Sequence, residues 1–294
     1  MIDKTALIGV DWGSSNLRVM RIGDGGVVLD RRSDPRGGVG LEPGDFRGVL
    51  DEVAGDWLTD GAPVLICGMA GARRGWREVA YCPCPAGVAD VAAGLARPDS
   101  DREVAIAPGV CFSPGGILTD VMRGEETQVF GLGTDGLVVA PGTHSKWITV
   151  EDGRIVAIRT FMTGELFAAI RSATLLGAGM GAPGADPEAF RRGVERSLAD
   201  RNLSAALFSV RVESLADRLA PAGAADYLSG LLIGAEIAGQ EAARLRGPLT
   251  LIGDPALSAR YVEALHLAGA GVVRTADAEQ TTAKGLWRIW KAAQ

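Results

Sequence analysis

The sequence predicts an α/β protein built from two related halves. Its 294 residues are enough for two domains of ordinary size. Short apolar runs typical of strands are mixed with segments of helical periodicity. A unit of strand, polar turn, strand, glycine turn and strand also occurs twice, with copies that start about 130 residues apart. We therefore predict two α/β domains, at residues 1–133 and 134–294.

The first copy of the unit opens the chain. An apolar run at residues 6–10 predicts a strand, and the polar residues 11–15 form a tight turn after it. Residues 17–22 and 27–30 predict the second and third strands, separated by the glycine-containing turn 23–26. Further strands are predicted at 64–67 and 104–107, and helical segments at 46–57, 89–95 and 125–132.

The second copy begins with a predicted strand at residues 137–140. Strands at 147–150 and 155–159 follow it, and Asp152-Gly153 between them is a hairpin turn sequence. The rest of the chain is more helical. Its predicted helices are 165–176, 187–201, 225–245, 255–268 and 278–292, with short strands at 249–252 and 272–274.

Composition and charge exclude several classes of function. Hydrophobic residues make up 47% and charged residues 22%, with a net charge of −6 and no basic stripe, so we expect neither a nucleic-acid nor a membrane partner. No apolar run reaches the roughly 20 residues of a membrane helix, and no signal-peptide layout opens the chain. A cytoplasmic protein acting on a small molecule is the expectation, and homo-oligomerisation stays open. The four cysteines lack the spacing and histidine partners of a zinc site, which favours free thiols.

The polar turn after the first strand has the chemistry of a phosphate site. Gly13 allows close approach of the backbone to a ligand, and Ser14 and Ser15 can donate to phosphate oxygens. Asp11 is a candidate Mg²⁺ ligand, directly or through water. The alternative is a plain polar hairpin.

The second copy offers an equivalent turn, in which Gly142, Thr143 and Lys146 are candidate phosphate contacts. His144 beside them is either a general base or, as we favour, a loop histidine bonded to its neighbours. Gly253 follows a strand and precedes a helix, where a ligand can approach the backbone. The chain contains no GxxxxGK[ST] motif, which excludes a Walker-type kinase.

Longer strings sharpen this interpretation. They are 11–18 (DWGSSNLR), 68–86 (GMAGARRGWREVAYCPCPA), 120–128 (DVMRGEETQ), 141–147 (PGTHSKW) and 160–167 (TFMTGELF). In these strings the chain resembles the 2-dehydro-3-deoxygalactonokinases, with Ser14-Ser15 where Thr-Thr is usual and Arg74 where Gln is usual. The resemblance implies two ribonuclease-H-like domains of the actin-like ATPase fold, with a cleft between them that closes on ATP.

The resemblance also implies roles for particular residues. It implies a kinase that uses ATP and Mg²⁺ to phosphorylate the 6-hydroxyl of 2-dehydro-3-deoxygalactonate. Residues 124–131 are similar to the Gly-Asp-Gln segment of glycerol-type kinases, which puts the catalytic base on Glu125. The candidate contacts for the substrate and its carboxylate are Arg18, Arg73, Trp76 and Arg123. Another sugar or sugar-acid kinase of this superfamily, or a non-catalytic nucleotide-binding module, remains the alternative.

Overall fold

The computed structural model describes residues 4–100, 102–184 and 186–294. The strands run in chain order as β1 (Leu7–Trp12), β2 (Leu17–Ile22), β3 (Val28–Asp34), β4 (Val64–Gly68), β5 (Cys82–Pro83), β6 (Val104–Ile106), β7 (Val110–Phe112), β8 (Asp120–Met122), β9 (Gly136–Ala140), β10 (Ser145–Glu151), β11 (Arg154–Phe161), β12 (Leu249–Ile252) and β13 (Val273–Ala276). The helices are α1 (Asp45–Ala54), α2 (Val88–Ala93), α3 (Glu125–Leu132), α4 (Thr163–Ala173), α5 (Pro187–Ala199), α6 (Leu203–Leu215), α7 (Pro221–Ala238), α8 (Ala242–Leu245), α9 (Pro255–Leu267) and α10 (Ala278–Ala292).

The first large sheet has the strand order β3-β2-β1-β4-β6. Antiparallel pairing joins β1 to β2 and β2 to β3, whereas β1 and β4, and β4 and β6, run parallel. Apolar side chains of β1 and β4 are fully buried, and Phe46 of α1 packs against the Trp12 ring with centroids 4.7 Å apart. This core keeps the carboxyl ends of β1 and β4 at one edge of the sheet.

The second large sheet repeats that order as β11-β10-β9-β12-β13. Here β9 and β12 run parallel, as β1 and β4 do in the first sheet. Asp152 and Gly153 join β10 to β11 with φ angles of 51° and 69°, the left-handed pair that a two-residue hairpin turn requires. The shared order supports the duplication expected from the repeated sequence unit.

Chain contacts divide the molecule into two compact units. Unit 1 consists of Met1–Asp135, Ile148–Arg159 and Ala276–Gln294, and unit 2 of Gly136–Trp147 and Thr160–Thr275. This grouping differs from the predicted division at 133/134 in its treatment of the C-terminal helix and the 148–159 hairpin.

Helix α10 belongs to unit 1 because it packs closely against α3. A Cβ at Gly131 would lie 1.7 Å from the Thr281 carbonyl oxygen, and one at Gly285 would lie 1.8 Å from that of Thr127. Only glycine permits this approach of the two backbones. The sequence pattern located α10 correctly but carried no information on which half it covers.

The structure adds elements that the sequence patterns did not predict. Helix α6 was missed, and so was a small three-stranded sheet of order β5-β7-β8, whose strands are too short for a clear periodicity. The helix predicted at 225–245 is divided into α7 and α8, because Gly239 caps the end of α7. None of the helices in the described ranges is long and apolar enough to cross a membrane.

Candidate active site

The site in unit 1 begins where two parallel strands end. Asp11 of β1 is paired in register with Cys67 of β4, so the residues after both strands lie at one edge of the sheet. Gly68 closes β4 with φ 85°, and a Cβ there would approach the Trp12 carbonyl oxygen to 2.4 Å. Glycine is therefore required at the end of this strand.

Helix α3 begins against the same edge. Gly124, which precedes the helix with φ 114°, lies so close to the chain that its Cβ would be 3.6 Å from the Gly68 Cα. This approach sets the helix start, with Glu125 and Glu126 as its first residues, beside the ends of β1 and β4. Asp11 and Glu126 both lie near enough to Cys67 to help raise the pKa of its buried thiol.

Glu126 is a fully buried carboxyl group with few hydrogen-bond donors. Both of its oxygens accept from the Gly124 N–H, at 2.9 and 2.8 Å, and the Thr127 hydroxyl donates to Oε1 at 3.3 Å. Burial, together with the neighbouring charge of Glu125, raises the pKa of Glu126 to about 8. The sequence showed Glu125 and Glu126 as a pair of carboxylates that could include a general base, but it gave Glu126 no role of its own.

Glu125, the predicted base, is only partly buried at the first position of α3. Its Oε2 accepts from the Arg123 backbone N–H at 3.2 Å, and it makes other interactions as well. Of the two adjacent carboxylates, Glu125 is thus the one that keeps contact with solvent.

Asp11 and Arg18 form an ion pair across the β1–β2 hairpin. The Arg18 Nη1 donates to Asp11 Oδ2 at 3.0 Å, and the two residues are register partners. Burial raises the pKa of Asp11, and the Arg18 charge opposes that shift. Because Arg18 is already engaged by Asp11, it is less available to a substrate than an unpaired arginine.

The turn between β1 and β2 is closed by the Gly13 N–H, which donates to the Asn16 carbonyl oxygen at 2.8 Å. Ser14 and Ser15 at its tip are exposed and line a small pocket of about 210 Å³. Their hydroxyls are thus presented to solvent, as a phosphate-binding turn needs.

The remaining substrate candidates of unit 1 differ in availability. The Arg73 side chain is exposed, with no hydrogen bond or ion pair to another described residue, whereas Trp76 is half-buried against the core. Arg123 stacks on the Tyr81 ring at 4.3 Å and donates to the Val79 carbonyl oxygen at 2.8 Å. Its Nε and Nη1 are buried without a partner in the described chain. Of the three candidate arginines of unit 1, Arg73 is the one that is exposed and has no hydrogen bond or ion pair within the described chain.

In unit 2, as in unit 1, two parallel strands that end at the same edge of the sheet bring predicted site residues together. The parallel strands β9 and β12 end at one edge, so the Gly142 turn and Gly253 lie side by side, and a Cβ at Gly253 would be 3.5 Å from the Pro141 carbonyl oxygen. Helix α9 starts directly after this edge, with the Asp254 side chain accepting from the Leu257 N–H at 2.9 Å.

The start of α4 packs onto the Gly142 turn. A Cβ at Gly164 would lie 2.4 Å from the Gly142 carbonyl oxygen, and the Glu165 N–H donates to the Thr143 carbonyl oxygen at 3.0 Å. His144 Nε2 and Glu165 Oε2 are 2.6 Å apart. The turn is therefore tied to α4 through its backbone and one side-chain pair.

Lys146 lies in strand β10 rather than in the turn. It is 7% exposed, and its Nζ donates to the Thr160 hydroxyl at 2.9 Å. Lys146 is thus buried, whereas Ser14, Ser15 and Thr143 among the predicted phosphate contacts are exposed.

A largely apolar pocket of about 350 Å³ opens beside this turn in unit 2. Gly142 and Gly164 line it, and its apolar wall includes Phe167, Leu232, Ile233, Ala256, Leu257 and Tyr261. A cavity of this size and character suits the flat apolar base of a nucleoside.

Two buried carboxylates of α7 form hydrogen bonds to residues that line this pocket, and sequence reasoning missed both. Glu236 accepts four side-chain hydrogen bonds, and Asp226 pairs with Arg260 and accepts from the Gly184 and Asp186 N–H groups. Their one sequence signal is an acidic residue within an otherwise apolar helix.

Comparison with known proteins identifies relatives of the whole chain. An Escherichia coli (strain K12) 2-dehydro-3-deoxygalactonokinase is 35% identical over 273 residues, covering 92% of each chain. A Rhizobium meliloti (strain 1021) protein assigned the same activity is 40% identical over 290 residues, covering 94% of each.

Solved structures agree with these relatives. A crystal structure from Sinorhizobium meliloti, assigned the same activity, is 37% identical and superposes with a TM-score of 0.87, covering 97% of this chain and 96% of its own. The activator of 2-hydroxyisocaproyl-CoA dehydratase from Clostridium difficile, with bound ADPNP, shares the fold alone, at 14% identity and a TM-score of 0.53, covering 97% and 95%. The fold is thus the two-domain actin-like ATPase fold that the sequence strings predicted.

The model of the 2-keto-3-deoxy-galactonokinase family matches residues 11–289. That range includes each catalytic, substrate and nucleotide candidate described above. The chain belongs to the 2-keto-3-deoxy-galactonokinase family.

Proposed function

We propose that the protein phosphorylates 2-dehydro-3-deoxy-D-galactonate at its 6-hydroxyl with ATP, giving the 6-phosphate and ADP, in the degradation of galactonate. The observation that carries this proposal is the family match over residues 11–289. The arrangement of acidic groups in unit 1 and an apolar pocket in unit 2 supports phosphoryl transfer to an alcohol. ATP is an intracellular substrate, which supports a cytoplasmic location.

In our proposal, unit 1 binds the acceptor hydroxyl and removes its proton. A primary alcohol is a poor nucleophile, so a carboxylate must take its proton as the oxygen–phosphorus bond forms and ADP leaves. Glu125 has that role in our proposal, because it is an acid at the start of α3 that is only partly buried. General-base help of this kind contributes about 10²–10⁴-fold to the rate.

Asp11 fits a Mg²⁺ ion bound mainly through water and phosphate oxygens. Within the described ranges no three His, Cys, Asp or Glu side chains form a metal cluster, so a dedicated protein cage is not available. Mg²⁺ commonly takes one carboxylate in phosphoryl-transfer sites and keeps several waters. Such an ion neutralises phosphate charge. Asp11 can hold it only by sharing its carboxylate with Arg18 or releasing it.

Both hairpin turns carry groups suited to the phosphates of a nucleotide, and the pocket of unit 2 suits its base. Gly13, Ser14 and Ser15 in one turn, and Gly142 and Thr143 in the other, offer hydroxyl and backbone N–H donors for phosphate oxygens. The base occupies the apolar pocket, and Gly253 lets the nucleoside pack against the backbone at the start of α9.

The carboxylate of a sugar acid needs a cation. We assign it to Arg73, because this guanidinium is exposed and unpaired within the described chain, whereas Arg18 is bound to Asp11. Arginine can bind a carboxylate through two parallel hydrogen bonds. Trp76 and Arg123 are assigned to the wall of the same substrate site.

A substrate panel tests the proposed function. ADP release is measured with ATP, Mg²⁺ and each of 2-dehydro-3-deoxygalactonate, its gluconate-derived epimer and neutral hexoses. We expect the highest kcat/KM with the galactonate-derived acid. Equal or better turnover of a neutral sugar would contradict the proposed substrate, and absence of turnover with every acceptor would contradict the kinase itself.

A further inference from the structure

Unit 2 contains a buried carboxylate that the proposed chemistry does not use. Glu236 of α7 is 2% exposed. Its Oε1 accepts from the Ser145 hydroxyl at 2.6 Å and from the Trp147 indole N–H at 2.5 Å. Its Oε2 accepts from the Tyr261 hydroxyl at 2.8 Å and from the Thr163 hydroxyl. Each oxygen therefore accepts from two side-chain donors, so the hydrogen-bonding capacity of the carboxylate is filled.

The four donors come from three elements, β10, α4 and α9, beside the pocket of unit 2. Ser145 and Trp147 lie at the start of β10, immediately after the Gly142–His144 turn. Thr163 is the first residue of α4, and the following Gly164 packs on that turn. Tyr261 of α9 forms part of the pocket wall, as does Thr163. One carboxylate thus joins the phosphate turn to two walls of the pocket.

We infer that Glu236 is a positioning residue for the nucleotide site, acting through Ser145, Thr163 and Tyr261 rather than by touching ATP. The inference rests on the proposed function, since it assigns the pocket of unit 2 to the nucleotide. Hydrogen bonds to a charged acceptor are about twice as strong as neutral ones, and they hold the turn and α4 in the geometry that binding requires. A preorganised site does not lose conformational freedom when the ligand binds.

Packing alone would not need this arrangement. A hydrophobic residue at position 236 would fill the same volume in an otherwise apolar helix, at no cost for burying a charge. Both pairs of donors instead include a residue adjoining the turn or lining the pocket. The arrangement thus favours control of the turn and the pocket over a contribution to the core alone.

The test is Glu236→Gln, measured by calorimetric titration with MgADP and by steady-state kinetics. The glutamine amide presents N–H groups to donors that need an acceptor, so we expect ADP affinity to fall at least roughly tenfold. The KM for ATP should rise correspondingly, while the KM for the sugar acid stays unchanged. A folded variant that binds MgADP as tightly as the native protein would overturn the inference.

Two further variants keep the result interpretable. Ser145→Ala removes one donor, leaves the carboxylate in place and should weaken MgADP binding several-fold; unchanged affinity would also overturn the inference. Tyr227→Phe is the matched control, because it removes a buried hydroxyl of α7 that bonds Ser209 instead of the turn. It should leave MgADP binding unchanged. A loss of affinity equal to that of Glu236→Gln would mean that both substitutions act by general destabilisation of α7, and it would overturn the inference.

Failure of the native protein to bind MgADP would overturn the proposed function itself, and this inference with it.

Discussion

Glu126 in unit 1 and Glu236 in unit 2 are both buried carboxyl groups, but their surroundings are opposite. Glu126 accepts only from nearby backbone N–H groups and one hydroxyl, has a charged neighbour in Glu125, and its pKa is raised to about 8. Glu236 has four side-chain donors. Burial raises the pKa of Glu236 as well, but these donors oppose the shift.

The difference shows that the two copies of one topology place their buried acidic groups in different surroundings. In unit 1, acidic groups gather at the ends of β1 and β4, where our proposal puts the proton acceptor and the metal ion. In unit 2, Glu236 is buried and its oxygens are occupied by four side-chain donors, and the pocket beside the Gly142 turn is lined mainly by glycines and apolar side chains. In our proposal, this lining keeps carboxylates away from the nucleotide, whose phosphates they would repel.

The largest effect is expected at Glu125. Glu125→Gln removes the proposed proton acceptor, so kcat should fall by about 10²–10⁴-fold, whereas MgADP affinity stays as in the native protein. Stopped-time ADP assays and calorimetric titration measure the two quantities. The exposed acid Glu103, which pairs with Arg97 at 3.6 Å, supplies the control Glu103→Gln, with unchanged kcat. Near-normal turnover of Glu125→Gln would remove Glu125 from the chemistry.

A smaller effect is expected at the sugar-acid contact. Arg73→Ala should raise the KM for 2-dehydro-3-deoxygalactonate on the order of tenfold and leave the KM for ATP unchanged, because a charged hydrogen-bond partner of the carboxylate is lost. Initial rates over a grid of both substrates separate the two constants. The neighbouring Arg74, whose side chain is 87% exposed, supplies the control Arg74→Ala, with no change in either constant. A larger change in the KM for ATP than in the KM for the sugar acid would contradict the proposal that Arg73 of unit 1 binds the sugar acid.

The smallest effect is expected for Glu126→Gln near pH 5. It concerns the free energy of unfolding of the variant relative to the native protein, and this difference should grow with pH. The folded-state pKa of Glu126 is about 8, above its ordinary value of 4.5, so the native protein loses stability as pH rises through this window. Glutamine cannot ionise. The free energy of unfolding of the variant relative to the native protein should therefore increase, with a slope approaching about 1.4 kcal/mol per pH unit, and level off above pH 8.

Urea unfolding at several pH values between about 5 and 9 measures this difference. Glu236→Gln provides the contrast, because replacing one carboxylate oxygen by an amide NH2 removes two of the four hydrogen bonds and should destabilise the protein throughout the range. A difference for Glu126→Gln that does not vary with pH would show that Glu126 is already ionised in the folded protein.

Much of the fold could be predicted from local patterns. Helices α3 and α10 and strand β12 have the predicted bounds, and the two hairpins are where glycine and polar residues put them. The candidates Asp11, Gly142 and Gly253 were found because each lies at or just after the end of an apolar strand. Signals of this kind lie within about ten residues of chain, which is the range of strand and helix periodicity.

What escaped prediction depends on contacts distant in sequence. Ser145 donates a hydrogen bond to Glu236, which lies 91 residues away in the chain, and the sequence around neither residue indicates this pairing. The assignment of α10 to unit 1 depends on Gly131 and Gly285, whose significance appears only when the two helices are packed together. Helix α6 lacks a clear apolar face, so its pattern did not stand out.

By itself, the sequence determined the α/β class, the duplicated hairpin units, the absence of a Walker loop and, through its longer strings, the family. The tertiary structure decided which of two adjacent glutamates is buried, which candidate arginine is unpaired within the described chain, and which carboxylate accepts from Ser145 beside the Gly142 turn. The physical reason is that periodicity and turn chemistry are local properties of the chain. Burial and hydrogen-bond partnership, which set charge and pKa, arise only when distant segments pack against each other.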